Sequence, residues 1–303
     1  MNKTSKKYHK LRAQLELQSM VLPAIIFLAI FAYVPIYGLM GAFREYNIIT
    51  GYGNWVGLKY FEQFLTDPNL MGVLRNTLAV NFLGLIFGFP APIILALLLW
   101  ELRNIKFRKI AQTVSYLPHF LSWIIFGGIA LELLSRDGAI NSLLVATGIL
   151  KESINFMGRG EYFYGIFTIT SIIKTLGYGS ILYFAAISSV DQEMYDSAAI
   201  DGCGRFKRIW FITLPSITGT IVILLIFQIS AILNTGIEQV LIFQNALNAP
   251  FSETIDTYVY KIGMQQQRFS YATAVGLLKS IIAVLLLCGA NYTSKRFTGK
   301  GLF

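Results

Sequence analysis

Four stretches of this chain, 17–43, 76–100, 110–131 and 209–237, hold no charged side chain. Each exceeds the roughly 20 residues that a helix needs to cross ~30 Å of hydrocarbon. Two more stretches, 162–190 and 269–294, are interrupted only by Lys174 and Lys279. A lone lysine at the centre of a helix costs about 2.5–3.5 kcal/mol on insertion, which several Leu, Ile or Phe residues offset. Within lipid every backbone N–H and C=O must be paired inside the segment, so spans of this kind are helices. The expectation is an all-α integral membrane protein with six transmembrane helices, residues 1–303 forming a single transmembrane domain. Composition agrees, because 14% of the residues are charged against about 25% in soluble domains.

The basic segment ahead of the first stretch has the layout of a secretory leader. The apolar run that follows is longer than the ~7–15 residues of such leaders, however, and shows no small-x-small site before Phe43. It also contains Pro23 and Pro35. It is expected to remain as the first helix, behind a cytoplasmic tail at 1–16. With six spans the termini share a side. That side and the loops facing it hold fifteen of the 25 basic residues, and the longer opposite loops hold eight. The richer side is expected to be cytoplasmic. The net charge of +9 then follows from topology and gives no ground for nucleic-acid binding. Cys203 and Cys288 form no Cys-x-x-Cys pair, and His9 and His119 form no metal motif, so no metal site is expected.

The three loops expected on the far side are about thirty residues each, too short for an independent domain. Within the first, 55–65 reads as a short amphipathic helix, with Val56, Tyr60, Phe61, Phe64 and Leu65 placed to face lipid or the bundle. Pro90 and Pro92, Pro118, and Gly177 and Gly179 predict bent or broken spans, since a proline at membrane depth frees backbone carbonyls. No matched pair of broken helices marks an inverted repeat of the kind that secondary carriers use.

Between the fourth and fifth stretches lies a charged loop broken by glycine. Residues 195–215 read Tyr-Asp-Ser-Ala-Ala-Ile-Asp-Gly-Cys-Gly-Arg-Phe-Lys-Arg-Ile-Trp-Phe-Ile-Thr-Leu-Pro. Asp191 and Glu193 complement the dipole at a helix start. Met194, Ala198 and Ala199 then give a compact apolar face, and Gly202 and Gly204 supply the corner at which a helix stops. Beyond it Phe206, Ile209 and Trp210 share a stripe at helical spacing, flanked by Arg205, Lys207 and Arg208. Such a helix suits docking into a groove on another protein.

The spacing resembles the EAA loop of ABC-importer permeases, which runs from an acidic-Ala-Ala start through Asp-Gly to Ile-x-Leu-Pro. Asp196, Ser197 and Ala198 take the first places, Asp201 and Gly202 follow, and Ile212, Leu214 and Pro215 fall at the expected distance beyond Phe206. Asp196 stands for the usual Glu, Ser197 for the first Ala, and Cys203 for the Ala after Gly. The shorter stem of Asp196 shifts the docking geometry slightly. The resemblance extends over the chain, through Tyr-Val-Pro-Ile-Tyr-Gly at 33–38, Trp-Val-Gly-Leu-Lys-Tyr-Phe at 55–61, Arg-Asn-Thr-Leu at 75–78, Phe-Pro-Ala-Pro-Ile at 89–93, Ser-Tyr-Leu-Pro-His-Phe at 115–120 and Phe-Ser-Tyr-Ala-Thr-Ala-Val-Gly at 269–276. These look like permeases of the maltose type, and more narrowly like the branch for polysaccharide or oligosaccharide uptake.

That resemblance implies the type I permease fold of ABC importers and an alternating-access path for oligosaccharides or polysaccharide fragments in a bacterial cell membrane. It also implies a second, homologous permease, two cytoplasmic ATPase subunits and an extracellular sugar-binding protein. The loop at about 191–214 would couple to the ATPases through Asp196, Ser197, Ala198, Asp201, Gly202, Phe206, Ile212, Leu214 and Pro215. ATP and Mg would bind those partners, because the Gly299-Lys300 pair lacks the remainder of a phosphate-cradling loop. No catalytic residue is expected in this chain. An ion-coupled secondary sugar carrier is the alternative.

Charged groups at membrane depth mark a pathway or pair with one another. Lys174 and Lys279 are therefore read as able to meet an acidic sugar, to pair with Glu238, or to snorkel toward an interface. Tyr178, Tyr183 and Tyr258 are candidates to stack on sugar rings, although tyrosine also belts membrane interfaces.

Overall fold

The structure is a computed structural model that describes the backbone of residues 3–302; the basic side chains expected in the 1–16 tail lie outside the described residues. Among the described residues five helices are long and apolar enough to cross a membrane: Gln18–Ala42, Leu70–Trp100, Gly160–Ser188, Arg205–Ser230 and Phe269–Thr298. Ile105–Phe120 and Trp123–Leu133 are bent by 100° at a short break, and counted as one span they complete the six. The break does not fall at Pro118, which lies inside the first of these two helices. It falls at Leu121 and Ser122, both extended, where Ser122 Oγ accepts from Ile125 N at 3.2 Å and caps the second helix.

Pro90 and Pro92 do not interrupt the second span, nor do Gly177 and Gly179 interrupt the fourth, contrary to the sequence expectation. The means is visible in the local geometry. π-Helical turns occupy Ala29–Tyr33, Gly84–Gly88 and Ile209–Thr213, and each ends two residues ahead of a proline, at Pro35, Pro90 and Pro215. A proline ring crowds the carbonyl four residues back and offers it no N–H. That carbonyl falls inside each π turn, where bonds such as Phe89 N to Gly84 O at 2.9 Å replace the tighter α pattern. Gly177 permits a close approach, since a side-chain carbon there would run into the Ser115 carbonyl.

The chain divides into two compact units, residues up to Thr66 with Ile262–Leu278, and Asp67–Lys261 with the residues from Lys279. In the first unit the span Gln18–Ala42 leads into an antiparallel hairpin of Arg44–Asn47 with Gly51–Trp55, in register Tyr46 to Tyr52 and Asn47 to Gly51. Trp55 therefore closes a strand instead of opening the expected helix, which begins at Lys59 and ends at Leu65. Aromatic residues fix this corner: Phe43 stacks on Trp55 at 5.6 Å and tilts against Phe61 at 5.5 Å. Phe64 turns inward while Leu65 stays exposed.

In the second unit one apolar core gathers Val80, Phe163, Phe167, Val240 and Phe243, and another Ala96, Tyr183, Ile187 and Ile217. Buried polar residues fasten the connecting segments to the spans. Asn76 Nδ2 donates to the carbonyls of Pro250 at 3.1 Å and Glu253 at 2.9 Å, while its Oδ1 accepts from the Tyr164 hydroxyl at 2.6 Å. Asn141 ties together the segment between the third and fourth spans, donating to Ser135 O and Ile154 O and accepting from Ile154 N.

Candidate functional site

The loop between the fourth and fifth spans is a capped helix and a corner. Asp191 takes an extended conformation and its carboxylate accepts from Glu193 N at 3.0 Å, opening the helix Gln192–Ile200 as its acidic residues predict. The inward face is made by Tyr195 and Ala198, not by Met194 and Ala199, which are exposed. The Tyr195 hydroxyl lies 3.0 Å from the buried hydroxyl of Thr213, so the helix is tied to the base of the fifth span. At the other end Cys203 N donates to Ala198 O at 2.8 Å and Gly202 N to Ala199 O at 3.1 Å. This paired closure needs a left-handed residue, and Gly202 supplies it at φ +69°.

Of the residues expected to couple, Asp196, Ser197, Asp201, Gly202, Phe206 and Pro215 are exposed, Ala198 is buried, and Ile212 and Leu214 are half-buried. Leu214 packs on the core around Ala96 and Tyr183. Ile200 and Phe206, 88% and 90% exposed, are the barest large apolar side chains of the loop. The arrangement presents acid, a glycine corner and two apolar knobs outward, with a rigid hydrogen-bonded back.

A cavity of about 640 Å³ opens among the second, fourth and fifth spans and the turn at 234–239. Its polar wall includes Asn81, Ser171, Gln228, Asn234, Thr235 and Gln239; Phe89, Trp123 and Tyr183 supply aromatic faces. Volumes of this size hold small ligands. Amide and hydroxyl groups beside aromatic rings can hydrogen-bond a polyhydroxylated molecule while covering its C–H faces. Gln239 is held in place by donating to Phe167 O at 2.8 Å and Thr170 Oγ1 at 3.2 Å. Among the pathway residues named from sequence, Tyr183 lines this cavity. The amides were missed, although Asn81 and Gln228 stand out as polar residues inside uncharged runs.

Lys174 is buried, and its ammonium donates to the carbonyls of Pro118 at 3.2 Å, His119 at 3.0 Å and Leu121, with the Trp123 ring 5.2 Å away. Its charge thus answers the carbonyls at the break in the third span. Lys279 pairs with Asp256 and not with Glu238, which stands exposed in the first turn of Ile237–Phe243. The other carboxylate oxygen of Asp256 accepts from Thr235 N at 2.8 Å and Thr235 Oγ1 at 3.0 Å. Lys279 therefore braces a residue of the cavity wall through Asp256. Tyr178 stacks on His119 at 3.9 Å, and the buried Tyr258 donates to Asp67.

The family described as "Binding-protein-dependent transport system inner membrane component" matches residues 88–299, which include the capped loop and most of the cavity wall. The chain is 43% identical over 287 residues to protein LplB of Bacillus subtilis strain 168, covering 94% of this chain and 90% of that one. It is 42% identical over 297 residues to the polygalacturonan/rhamnogalacturonan transport system permease protein YteP of the same organism, covering 97% and 92%. Among solved structures it resembles a chain of a bacterial alginate ABC transporter in complex with its alginate pentasaccharide-bound periplasmic protein, at a TM-score of 0.88 and 34% identity, over 97% of this chain and 99% of that chain. The chain therefore belongs to the inner membrane components of binding-protein-dependent transport systems, as a permease subunit of the type I ABC-importer fold.

Proposed function

We propose that this permease forms one half of an ATP-driven pathway for oligosaccharides or polysaccharide fragments. A second, homologous permease supplies the other half, an extracellular binding protein delivers the sugar, and two cytoplasmic ATPase subunits bind ATP and Mg. Both termini of this chain face the cytoplasm. The sugar class is supported by the relatives, one named for polygalacturonan and rhamnogalacturonan and another solved as an alginate transporter. The single observation that carries the coupling role is the helix Gln192–Ile200, locked at its back by Tyr195 and Thr213 and closed by Gly202, with Asp196 and Phe206 exposed outside.

In this reading ATP-driven closure of the partner subunits pushes on Asp196, Ser197, Asp201, Gly202 and Phe206, and Ala198, Ile212, Leu214 and Pro215 pass the movement to the fifth span. The cavity then alternates between outward and inward access as two packed states exchange. The test is ATPase stimulation and uptake by the reconstituted importer across a panel of neutral and acidic oligosaccharides. Stimulation by a subset of the panel, with uptake that requires ATP, is expected. Uptake that persists without ATP under a sodium or proton gradient would instead make the protein an ion-coupled carrier.

A further inference from the structure

A second, smaller cavity of about 210 Å³ lies where the end of the second span meets the loop just described. Its walls bring Arg103, Arg205 and Arg208 together with Glu101, Trp100 and Gln192. Three arginines thus share this lining with one carboxylate, which is already engaged by Arg205 at 3.8 Å. Nε of Arg208 is buried and has no hydrogen-bond partner. A buried donor left unpaired costs free energy, and more so when it belongs to a charged group. The excess positive charge and the orphaned donor both call for an anion.

We propose that this cavity binds a phosphate group, presented by an anionic phospholipid headgroup or as free phosphate. The guanidinium fork matches phosphate oxygens in bidentate geometry. Trp100 ends the apolar helix Pro90–Trp100 and marks the level at which indole rings sit at a membrane surface. Basic pockets between spans at the cytoplasmic surface recognise phosphate headgroups in this way. Because Gln192 and Tyr195 of the loop helix share the wall, a bound phosphate clamps that helix to the second span. The clamp's effect on ATPase coupling rests on the function proposed above; the binding itself does not.

The assembled importer, purified in detergent and titrated with phosphatidylglycerol or phosphatidylcholine, is read by native mass spectrometry. Selective retention of phosphatidylglycerol is expected, reduced about fivefold by Arg103→Gln and further by Arg103→Gln with Arg208→Gln, while Lys207→Gln, outside the cavity, leaves it unchanged. Since Arg103 is exposed, its single variant reports binding even where the Arg208 variant fails to fold. Phenylglyoxal modification of Arg208 separates the sources. Protection by phosphatidylglycerol vesicles alone identifies a headgroup, and protection by inorganic phosphate identifies the free ion. Equal retention of both lipids together with no protection by phosphate would overturn the proposal. An equal loss in Lys207→Gln would overturn it too.

Discussion

At the scale of the residue, the two lysines inside the spans do different work from a charged lining. Lys174 gathers three carbonyls at the break in the third span, of which Pro118 O also accepts from Leu121 N at 3.3 Å. Lys174→Met removes charge-assisted hydrogen bonds of about 1.5–3 kcal/mol from that break. Its expected outcome is a clearly lowered melting temperature in detergent, with Lys174→Arg intermediate. Lys279→Met leaves Asp256 as an unpaired, largely buried carboxylate, a loss of about 3–5 kcal/mol when one partner of a buried pair is removed. Adding Asp256→Asn is expected to recover most of that loss. A thermal-unfolding double-mutant cycle measures the coupling, and additive effects would refute the pairing's importance. Sequence showed that both lysines had to be answered, because a charge in a span is conspicuous. It did not show by what, since Asp256 lies 23 residues from Lys279 and the carbonyls facing Lys174 lie more than fifty residues before it. Such pairings are products of the tertiary fold.

At the scale of the element, the loop helix was legible because its signals are local: an acidic cap, a compact middle and a glycine at the end. Its buried face was misjudged. Tyr195 turns inward, where its hydroxyl meets that of Thr213, eighteen residues on. Gly202→Asp places a side chain at φ +69°, a backbone region that costs non-glycine residues roughly 1–2 kcal/mol, and adds charge to the proposed docking face. The protein is expected to insert normally, with ATPase co-purification or sugar-stimulated activity lowered about tenfold. Wild-type co-purification and uptake would defeat the coupling role. The short helix before Asp67 was found in part, but the hairpin ahead of it was not, because Tyr46 and Tyr52 pair across a turn that gave no strong alternation to read.

At the scale of the molecule, the number of spans followed from hydrocarbon thickness and from the tolerated cost of two lysines, while the limits shifted most at the end of the fifth span, which stops at Ser230 and not at 237. The cavity was out of reach, because its amides come from two separate spans and the segment after the fifth. Asn81→Leu and Gln228→Leu keep approximate volume and remove hydrogen-bonding groups. In the reconstituted importer they are expected to raise the KM for sugar severalfold, with the ATPase subunits still bound and basal hydrolysis unchanged. An unchanged KM in both would place the sugar elsewhere.

The wide turns ahead of Pro35, Pro90 and Pro215 carry a consequence for motion. Each holds one residue more than the surrounding helix uses per turn, and in the fifth span that surplus sits at Ile209–Thr213, between the loop and the cavity wall at Leu224 and Gln228. If the surplus residue passes along the span, every side chain it overtakes swings by roughly 100° about the axis. A push at the loop can thereby arrive at the cavity as torsion, so that different side chains face the sugar without the span sliding through the membrane.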